Sequence, residues 1–444
     1  MNYYLLLKER SISYAEKPFL YIGEEIYSYR AFFTKIERMT QHLSRVIKDD
    51  LENADVLVSA ESFLNQALLF FAVQKFNARP ILLHHGLIES DIEHIAKTND
   101  LQGIFILNAE SLSYKRFPYE ARQHEYPDCL GVLSSGTTGT PKVMYRTFES
   151  WAGFFPVQNE IFGLKETSCL FFHGSLSFTG NLNAFLAALF IGASVCTSEC
   201  TNVKLWIALM EKHTADIIYL VPAKLRLLVE AIKVAISSVR SVFTGSQIIS
   251  ASLLRLLQRK LPNASIVLYY GASELNYITY AHCRDCTRDP RNVGIPFPGV
   301  DISVADGLIY VNTPFHVSGI TLPFTLHDKG YMNEQGELIF EGREQAWVNK
   351  GGFKISLERV ELKIKAVAGI REAAVLPVED EVRGADLVAF LVPSDGIEKK
   401  KLRRMVRNAL LPVEMPKKIY FLAEIPLNDR GKLAKDLLLK EIRK

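Results

Sequence analysis

Short apolar runs alternate with longer segments of helical period over most of the chain, and this alternation constrains the fold more than any other feature. Phe19–Ile22 and Ile26–Tyr27 flank Gly23-Glu24-Glu25 and predict a hairpin. Ser28 is placed to cap a helix that carries Phe32, Ile36, Met39, Leu43 and Val46 at spacings of three and four. Asp55–Ala60 reads as a strand, Phe63–Phe76 as an apolar helix and Pro80–Leu83 as the next strand. Repeats of this kind predict parallel strands with helical crossovers. Leu130–Leu133 and Lys142–Thr147 read as strands and Phe148–Phe162 as a helix. The theme continues with strands at Ile217–Pro222, Val239–Thr244 and Ile266–Tyr269, and a helix at Lys224–Ile236. Beyond about residue 292 the texture turns to glycine, proline and short alternating runs, at Val300–Val304, Leu308–Val311 and Leu338–Phe340, which predict a small β subdomain. The last hundred residues hold strands at Glu372–Pro377 and Leu387–Val392, a helix over 398–411 and a run at Ile419–Leu422. The expected fold class is α/β: a large N-terminal domain of α/β sheets with a small β subdomain, residues 1–344, and a small α+β C-terminal domain, residues 345–444.

Composition narrows the function classes. The 444 residues are 48% apolar and 23% charged, as in an ordinary globular protein. A net charge of +3 is too mild to make nucleic acid a main partner. The longest apolar run, Ala184–Val195, is too short to span a bilayer, and Met1-Asn2-Tyr3-Tyr4 does not begin a signal peptide. Six cysteines in so long a chain suggest no disulfide framework, which fits a reducing cytoplasm. Cys283 and Cys286 form one Cys-x-x-Cys without a second ligand pair at zinc-finger spacing, so ordinary cysteines are expected there. His84-His85 is expected to be a satisfied or exposed pair, and the lysines and arginines of 398–411 a solvated helix face.

Six stretches carry chemistry. Five of the nine residues from Ser134 to Lys142 bear hydroxyls and two, Gly136 and Gly139, are glycines. Such a segment presents N–H groups, hydroxyls and one ammonium to an anion. It is not the common nucleoside-triphosphatase loop, because Pro141 stands where the second glycine of Gly-x4-Gly-Lys is needed. Tyr270-Gly271-Ala272-Ser273-Glu274 puts an aromatic face, a hydroxyl and a carboxylate at the end of a predicted strand, where ligands bind in open α/β sheets. Thr325–Tyr331 contains Asp328, and Gly342-Arg343 precedes the expected domain junction. The C-terminal region adds Gly351-Gly352-Phe353-Lys354-Ile355 and Gly431-Lys432.

In this order the stretches resemble those of the adenylate-forming enzymes, and acyl-CoA synthetases in particular. The resemblance implies the following roles. Ser134, Ser135, Gly136, Thr137, Thr138 and Gly139 cradle the phosphates of ATP, with Lys142 alongside. Glu274 holds Mg²⁺, Ser273 contacts the α-phosphate, and Tyr270 with Gly271 lies along adenine. Asp328 accepts from the ribose, with Arg343 nearby. Lys432 bridges carboxylate and phosphate in adenylation, and the glycine loop around Gly352 then passes the pantetheine arm of CoA after the mobile C-terminal domain has rotated. Val221-Pro222 and Gly245-Ser246-Gln247 resemble walls of the acyl pocket, and Phe172, Phe178, Ile278 and Tyr280 are candidates for its apolar lining.

Departures from the family pattern are Val143 after the loop lysine, His327 before the aspartate, Gln345 at the hinge and Ser177 in place of the histidine of His-x-x-Gly, with His173 just upstream. The activity implied is ATP-dependent ligation of a fatty or aromatic acid to CoA in the cytoplasm. A carrier-protein thiol is the alternative acceptor, and a non-catalytic nucleotide-binding protein is the alternative of another class.

Overall fold

The computed structural model describes residues 1–48, 50–108, 111–133, 141–245, 249–284, 289–343, 347–350, 353–380, 384–394, 396–428 and 433–443. Two sheets dominate the N-terminal part. A six-stranded sheet has the order Leu112–Arg116, Gly103–Leu107, Asp55–Ala60, Arg79–Leu82, Asp128–Leu133, Val143–Thr147. A thirteen-stranded sheet is parallel through Ser265–Ala272, Ser241–Thr244, Ile217–Tyr219, Cys169–Phe172, Ser194–Thr197 and Pro18–Ile22. It ends on one side in the predicted hairpin with Glu25–Ser28. On the other side the strands Asn276–His282 and Asn292–Pro296 join it, antiparallel, to the small β subdomain of Leu338–Arg343, Phe324–Met332, Leu308–Asn312 and Asp301–Ala305.

Both faces of the large sheet are covered, and the strand residues sort between them with period two. Leu170, Phe172, Ile217, Tyr219, Val267 and Tyr269 enter the main core, with the helices Phe63–Lys75 and Thr179–Ile191 and one face of the six-stranded sheet. Phe171, Ile218, Ile266 and Leu268 point the other way, onto Trp206, Leu228 and Leu257 of three outer helices. This explains why the strands read as uniformly apolar runs. Ser28 caps its helix as predicted, its side chain accepting from the Ala31 N–H.

Several boundaries differ from expectation. The expected helix over 148–162 is two, Glu149–Ala152 and Phe155–Phe162, interrupted at Gly153 with Pro156 in the first turn of the second. The strand at Ile217 stops at Tyr219, because Pro222 opens the helix Pro222–Ala231. A first helix, Tyr3–Ser13, capped by Asn2, has no counterpart in the expectations above.

The C-terminal part is α+β. Ile370–Asp380, Gly384–Pro393 and Lys418–Phe421 form a three-stranded sheet, and Trp347–Lys350 with Phe353–Ser356 a hairpin. Ala373 and Val375 face Val360, Ile364, Leu402 and Val406 of two helices; Ala374 and Leu376 face Leu438 of the last one. An Arg226 Nε–Glu372 Oε1 ion pair of 2.5 Å links this part to the large one.

Candidate active site

Leu133 pairs with Val143, so Ser134–Lys142 closes a hairpin at the carboxyl end of a buried strand. Ser134, Ser135, Gly136, Thr137, Thr138 and Gly139 lie outside the described residues. The exit of the loop is pinned by the buried Asn99: its Nδ2 donates to the Pro141 carbonyl (3.0 Å) and its Oδ1 accepts from Val143 N–H (2.8 Å). Lys142 is exposed at the hairpin mouth.

Beneath the hairpin lies a charged cluster. His124 bridges Asp128 Oδ2 (Nδ1, 2.8 Å) and Asp55 Oδ2 (Nε2, 3.0 Å), and Asp55 pairs with Arg79 (2.5 Å). Burial pulls the His124 pKa down, but hydrogen bonds to Asp128 and Asp55 more than offset it and raise it from 6.5 to about 9. A raised folded-state value means that the cluster's contribution to stability is complete below pH 6.5 and is lost as pH rises through about 9. The melting midpoint is therefore expected to fall over that window in the wild type and to stay flat in His124→Ala; parallel curves would contradict the assignment.

Arg146, one strand residue above this cluster, is fully buried. It joins the hairpin to the second motif: Nη2 donates to the Ser273 carbonyl (2.7 Å) and Nη1 to the Phe315 carbonyl (3.0 Å). Its guanidinium carbon sits 5.0 Å from the Trp151 ring centre. Burial lowers its pKa to about 10, opposed by Tyr3 and Glu274, so the group remains cationic at neutral pH. An arginine inside an apolar strand was the sequence signal, and the expectations above passed over it. Arg146→Met leaves the half-buried Ser273 and Phe315 carbonyls without their donor and is expected to lower unfolding stability by about 2–3 kcal/mol, read as a shifted denaturant midpoint. Arg146→Lys restores little, because one ammonium does not reproduce the fork. An unshifted midpoint in both variants would remove Arg146 from this role.

Tyr270, Gly271 and Ala272 continue the strand from Ser265 rather than following it, and Ser273 and Glu274 begin the turn into Asn276–His282. A Cβ on Gly271 would lie 2.5 Å from the Asn276 carbonyl oxygen, so the tight return needs glycine. The turn is held by its backbone: Val317 N–H donates to Glu274 O (2.9 Å), and Arg146 holds Ser273 O. Both side chains are half-buried, with Ser273 Oγ 3.3 Å from Thr179 Oγ1 at the start of the Thr179–Ile191 helix.

Asp328 is buried in the strand Phe324–Met332, not in a turn. Tyr270 donates its hydroxyl to Asp328 Oδ2 at 2.5 Å, so two predicted site residues 58 positions apart meet directly. Arg343 stands opposite Asp328 in the strand register; its side chain is not described. His327 has φ +58°, the left-handed region that favours glycine, which accounts for the glycine expected there and marks its replacement as strained. Gln345, Gly352 and Lys432, with Ser246 and Gln247, lie outside the described residues.

A narrow cleft opens beside the turn, walled by Phe178, Leu220, Val221, His173 and Lys224 among others. Of the residues expected to line an acyl pocket, Val221 and Phe178 face this cleft. Phe172 and Ile278 do not: both are fully buried in the main core, and Tyr280 packs on Phe297 at 4.8 Å. Lys224 was not anticipated at all. Among the described residues no cluster of His, Cys, Asp and Glu could hold a metal by itself.

The AMP-binding enzyme family matches residues 129–320, and the AMP-binding enzyme C-terminal domain matches residues 359–432. The acyl-CoA ligase YhfT of Bacillus subtilis is 27% identical over 336 residues, 71% of this chain and 69% of its own. VraA of Staphylococcus haemolyticus, by provisional name a long chain fatty acid-CoA ligase, is 26% identical over 458 residues, covering 98% and 96%. In fold, ATP-bound MatB from Rhodopseudomonas palustris superposes with a TM-score of 0.81 (19% identity, 100% and 99% covered). The o-succinylbenzoate CoA synthetase MenE of Bacillus subtilis, with ATP and magnesium, does so with 0.82 (18% identity, 98% and 99% covered). The large N-terminal and smaller C-terminal domains, the hairpin loop and the joined Tyr270–Asp328 pair thus find their common explanation: the chain belongs to the AMP-binding enzyme family, as an AMP-forming acyl-CoA synthetase-like ligase.

Proposed function

We propose that the protein makes an acyl-CoA in two steps at the site built on the hairpin and the Ser273-Glu274 turn. A carboxylate oxygen of the acid attacks the α-phosphorus of ATP and pyrophosphate leaves. The thiol sulfur of CoA then attacks the acyl carbon of the adenylate, AMP leaves, and the thiol proton passes to solvent. Both reactants of the first step are anions, so positioning and charge neutralisation carry the catalysis. The observation that supports this reading most is the Tyr270–Asp328 hydrogen bond, which sets an aromatic face beside a carboxylate as a nucleoside requires. Tyr270 and Gly271 line the adenine, and Asp328 accepts from the ribose hydroxyls with Arg343 beside it. Ser134–Gly139 and Lys142 hold the departing phosphates, and Ser273 meets the α-phosphate.

A single half-buried carboxylate with hydroxyls nearby fits Mg²⁺, which keeps several waters and takes phosphate oxygens for the rest. Glu274 is its protein ligand, and the ion supplies neutralisation of phosphate charge. Gly352 lines the path of the pantetheine arm, and the domain boundary at 344/345 is the hinge. The names of the relatives support a fatty or aromatic acid. No helix among the described residues is long and apolar enough to cross a membrane, and we place the enzyme in the cytoplasm. An acyl carrier protein is the competing acceptor. Pyrophosphate release across a panel of acids, with and without CoA, tests the reading. Release coupled to CoA consumption supports it; release without CoA consumption transfers the second step to a carrier protein; no release with any acid overturns it.

A further inference from the structure

Residues 313–323 join Leu308–Asn312 to Phe324–Met332 in the small β subdomain, and their middle part touches both large sheets. On the side of the thirteen-stranded sheet, Val317 N–H donates to Glu274 O (2.9 Å), in the turn that follows Ser265–Ala272. On the side of the six-stranded sheet, Ser318 N–H donates to Tyr145 O (2.9 Å) on Val143–Thr147. The Ser318 hydroxyl donates to Asp128 Oδ1 (2.5 Å) at the start of Asp128–Leu133. Phe315 fixes the near end: its carbonyl accepts from Arg146, and its ring packs on Phe154 with centres 4.8 Å apart. Two successive residues, Val317 and Ser318, thus grip the catalytic turn and the six-stranded sheet. The segment is a strap between them.

Asp128 is a fixed acceptor for that hydroxyl. Its side chain is only 3% exposed, and its second oxygen meets His124 Nδ1 at 2.8 Å. His124 is held from its far side by Asp55 Oδ2 (3.0 Å), and Asp55 in turn by the buried Arg79. A hydroxyl that donates to a carboxylate so placed makes a directional, charge-assisted bond. The strand that begins at Asp128 is also the one whose carboxyl end, Leu133, opens the 134–142 loop. The turn and the loop are therefore referred to one rigid element. A metal ligand carried on a turn is placed only as exactly as the turn itself. We propose that Asp128 and Ser318 are positioning residues for Glu274, fixing its turn through the strap and so the place that Mg²⁺ takes against the phosphates of ATP. This rests on the reading of Glu274 as the magnesium ligand and adds what holds it in place.

The test is a double-mutant cycle read in pyrophosphate release. Ser318→Ala removes the hydroxyl and keeps the N–H bond to Tyr145. It is expected to raise the magnesium concentration for half-maximal rate about 10-fold, as losing an outer partner of a metal ligand does. The KM for the acid and the melting midpoint are expected to stay near the wild-type values. Ser318→Thr, which keeps a hydroxyl, is expected to restore the magnesium dependence. On a Glu274→Gln background Ser318→Ala is expected to change nothing further, because a positioning residue has no effect once the group it positions is gone. An unchanged magnesium dependence in Ser318→Ala, or an equal effect on both backgrounds, overturns the inference while leaving the ligase activity standing. If Ser318→Ala does not fold, Asp128→Asn, of the same shape without the charge, is measured against the same outcomes. Calorimetric titration with ATP, with and without magnesium, adds a readout free of turnover. Magnesium is expected to tighten ATP binding in the wild type and to do so about 10-fold less in Ser318→Ala. If no acid releases pyrophosphate, the activity reading fails by itself and the calorimetry decides: an equal magnesium effect in both proteins, or none in either, overturns the inference.

Discussion

Glu274→Gln is expected to lower pyrophosphate release by on the order of 10²–10³-fold, the cost typical of removing one preorganised electrostatic group from such a site. The fold is expected to survive. Glu274 is half-buried, and what holds its turn is backbone: its carbonyl accepts from Val317 N–H, and the Ser273 carbonyl accepts from Arg146. Glutamine keeps the size and both of those contacts and removes only the charge. Mg²⁺ bound through one protein carboxylate loses its anionic anchor, so the magnesium concentration for half-maximal rate should rise along with the fall in rate. The neutral amide also leaves Arg146 without the nearby anion that helps keep it charged. Melting curves of the variant should match the wild type to within a few degrees. A rate within tenfold of wild type at saturating magnesium would remove the metal-binding role from Glu274, and unchanged magnesium dependence would do the same.

The fold was legible where burial is uniform. Strands such as Asp55–Ala60, through Val56-Leu57-Val58, and Ile266–Tyr269 show themselves as apolar runs because each face of the sheet meets its own core. The same uniformity hid where those strands end. Tyr270 and Gly271 look like the start of a loop, yet they stay in the sheet because the next strand folds back on them at Asn276. Apolar lining was misassigned for a related reason: Phe172 and Phe178 are chemically alike, but one sits inside a strand between two layers and the other at a helix start facing the cleft. Periodicity cannot separate them without the helix boundary. The charged residues that matter, Arg146 and Lys224, were missed because a lone cation in an element is ordinarily solvated. Their partners, Ser273 and Phe315 for one and His173 for the other, are far away in sequence. By contrast Asp328 and His327 were legible through the motif that contains them. The structure adds that position 327 has the glycine-like backbone that the motif implies.

Lys432→Ala is expected to abolish adenylation to below about a thousandth of the wild-type rate, while thioester formation from supplied acyl-adenylate and CoA continues. The separation follows from where the charge builds. In the first step the acid's carboxylate and the α-phosphate, both anionic, must be drawn together, and a bridging ammonium lowers that barrier directly. In the second step a thiol attacks an already activated carbonyl, and no such bridge is needed. The ends of the loop that carries Lys432 are firmly set. Leu427 pairs with Leu433 in an antiparallel bridge, Ala434 N–H donates to Pro426 O, and the following helix buries Leu438 against Ala374 and Phe390. The described residues on either side of Lys432 are thus held to the body of the C-terminal domain, and we propose that the lysine is delivered or withdrawn as that domain moves. The Arg226–Glu372 ion pair is one contact that such movement has to break or keep. Measuring both half-reactions in Lys432→Ala separates delivery from general damage. Loss of the two together would mean that the substitution unsettles the domain, and retention of both would place the adenylating cation elsewhere, with Lys142 the next residue to replace.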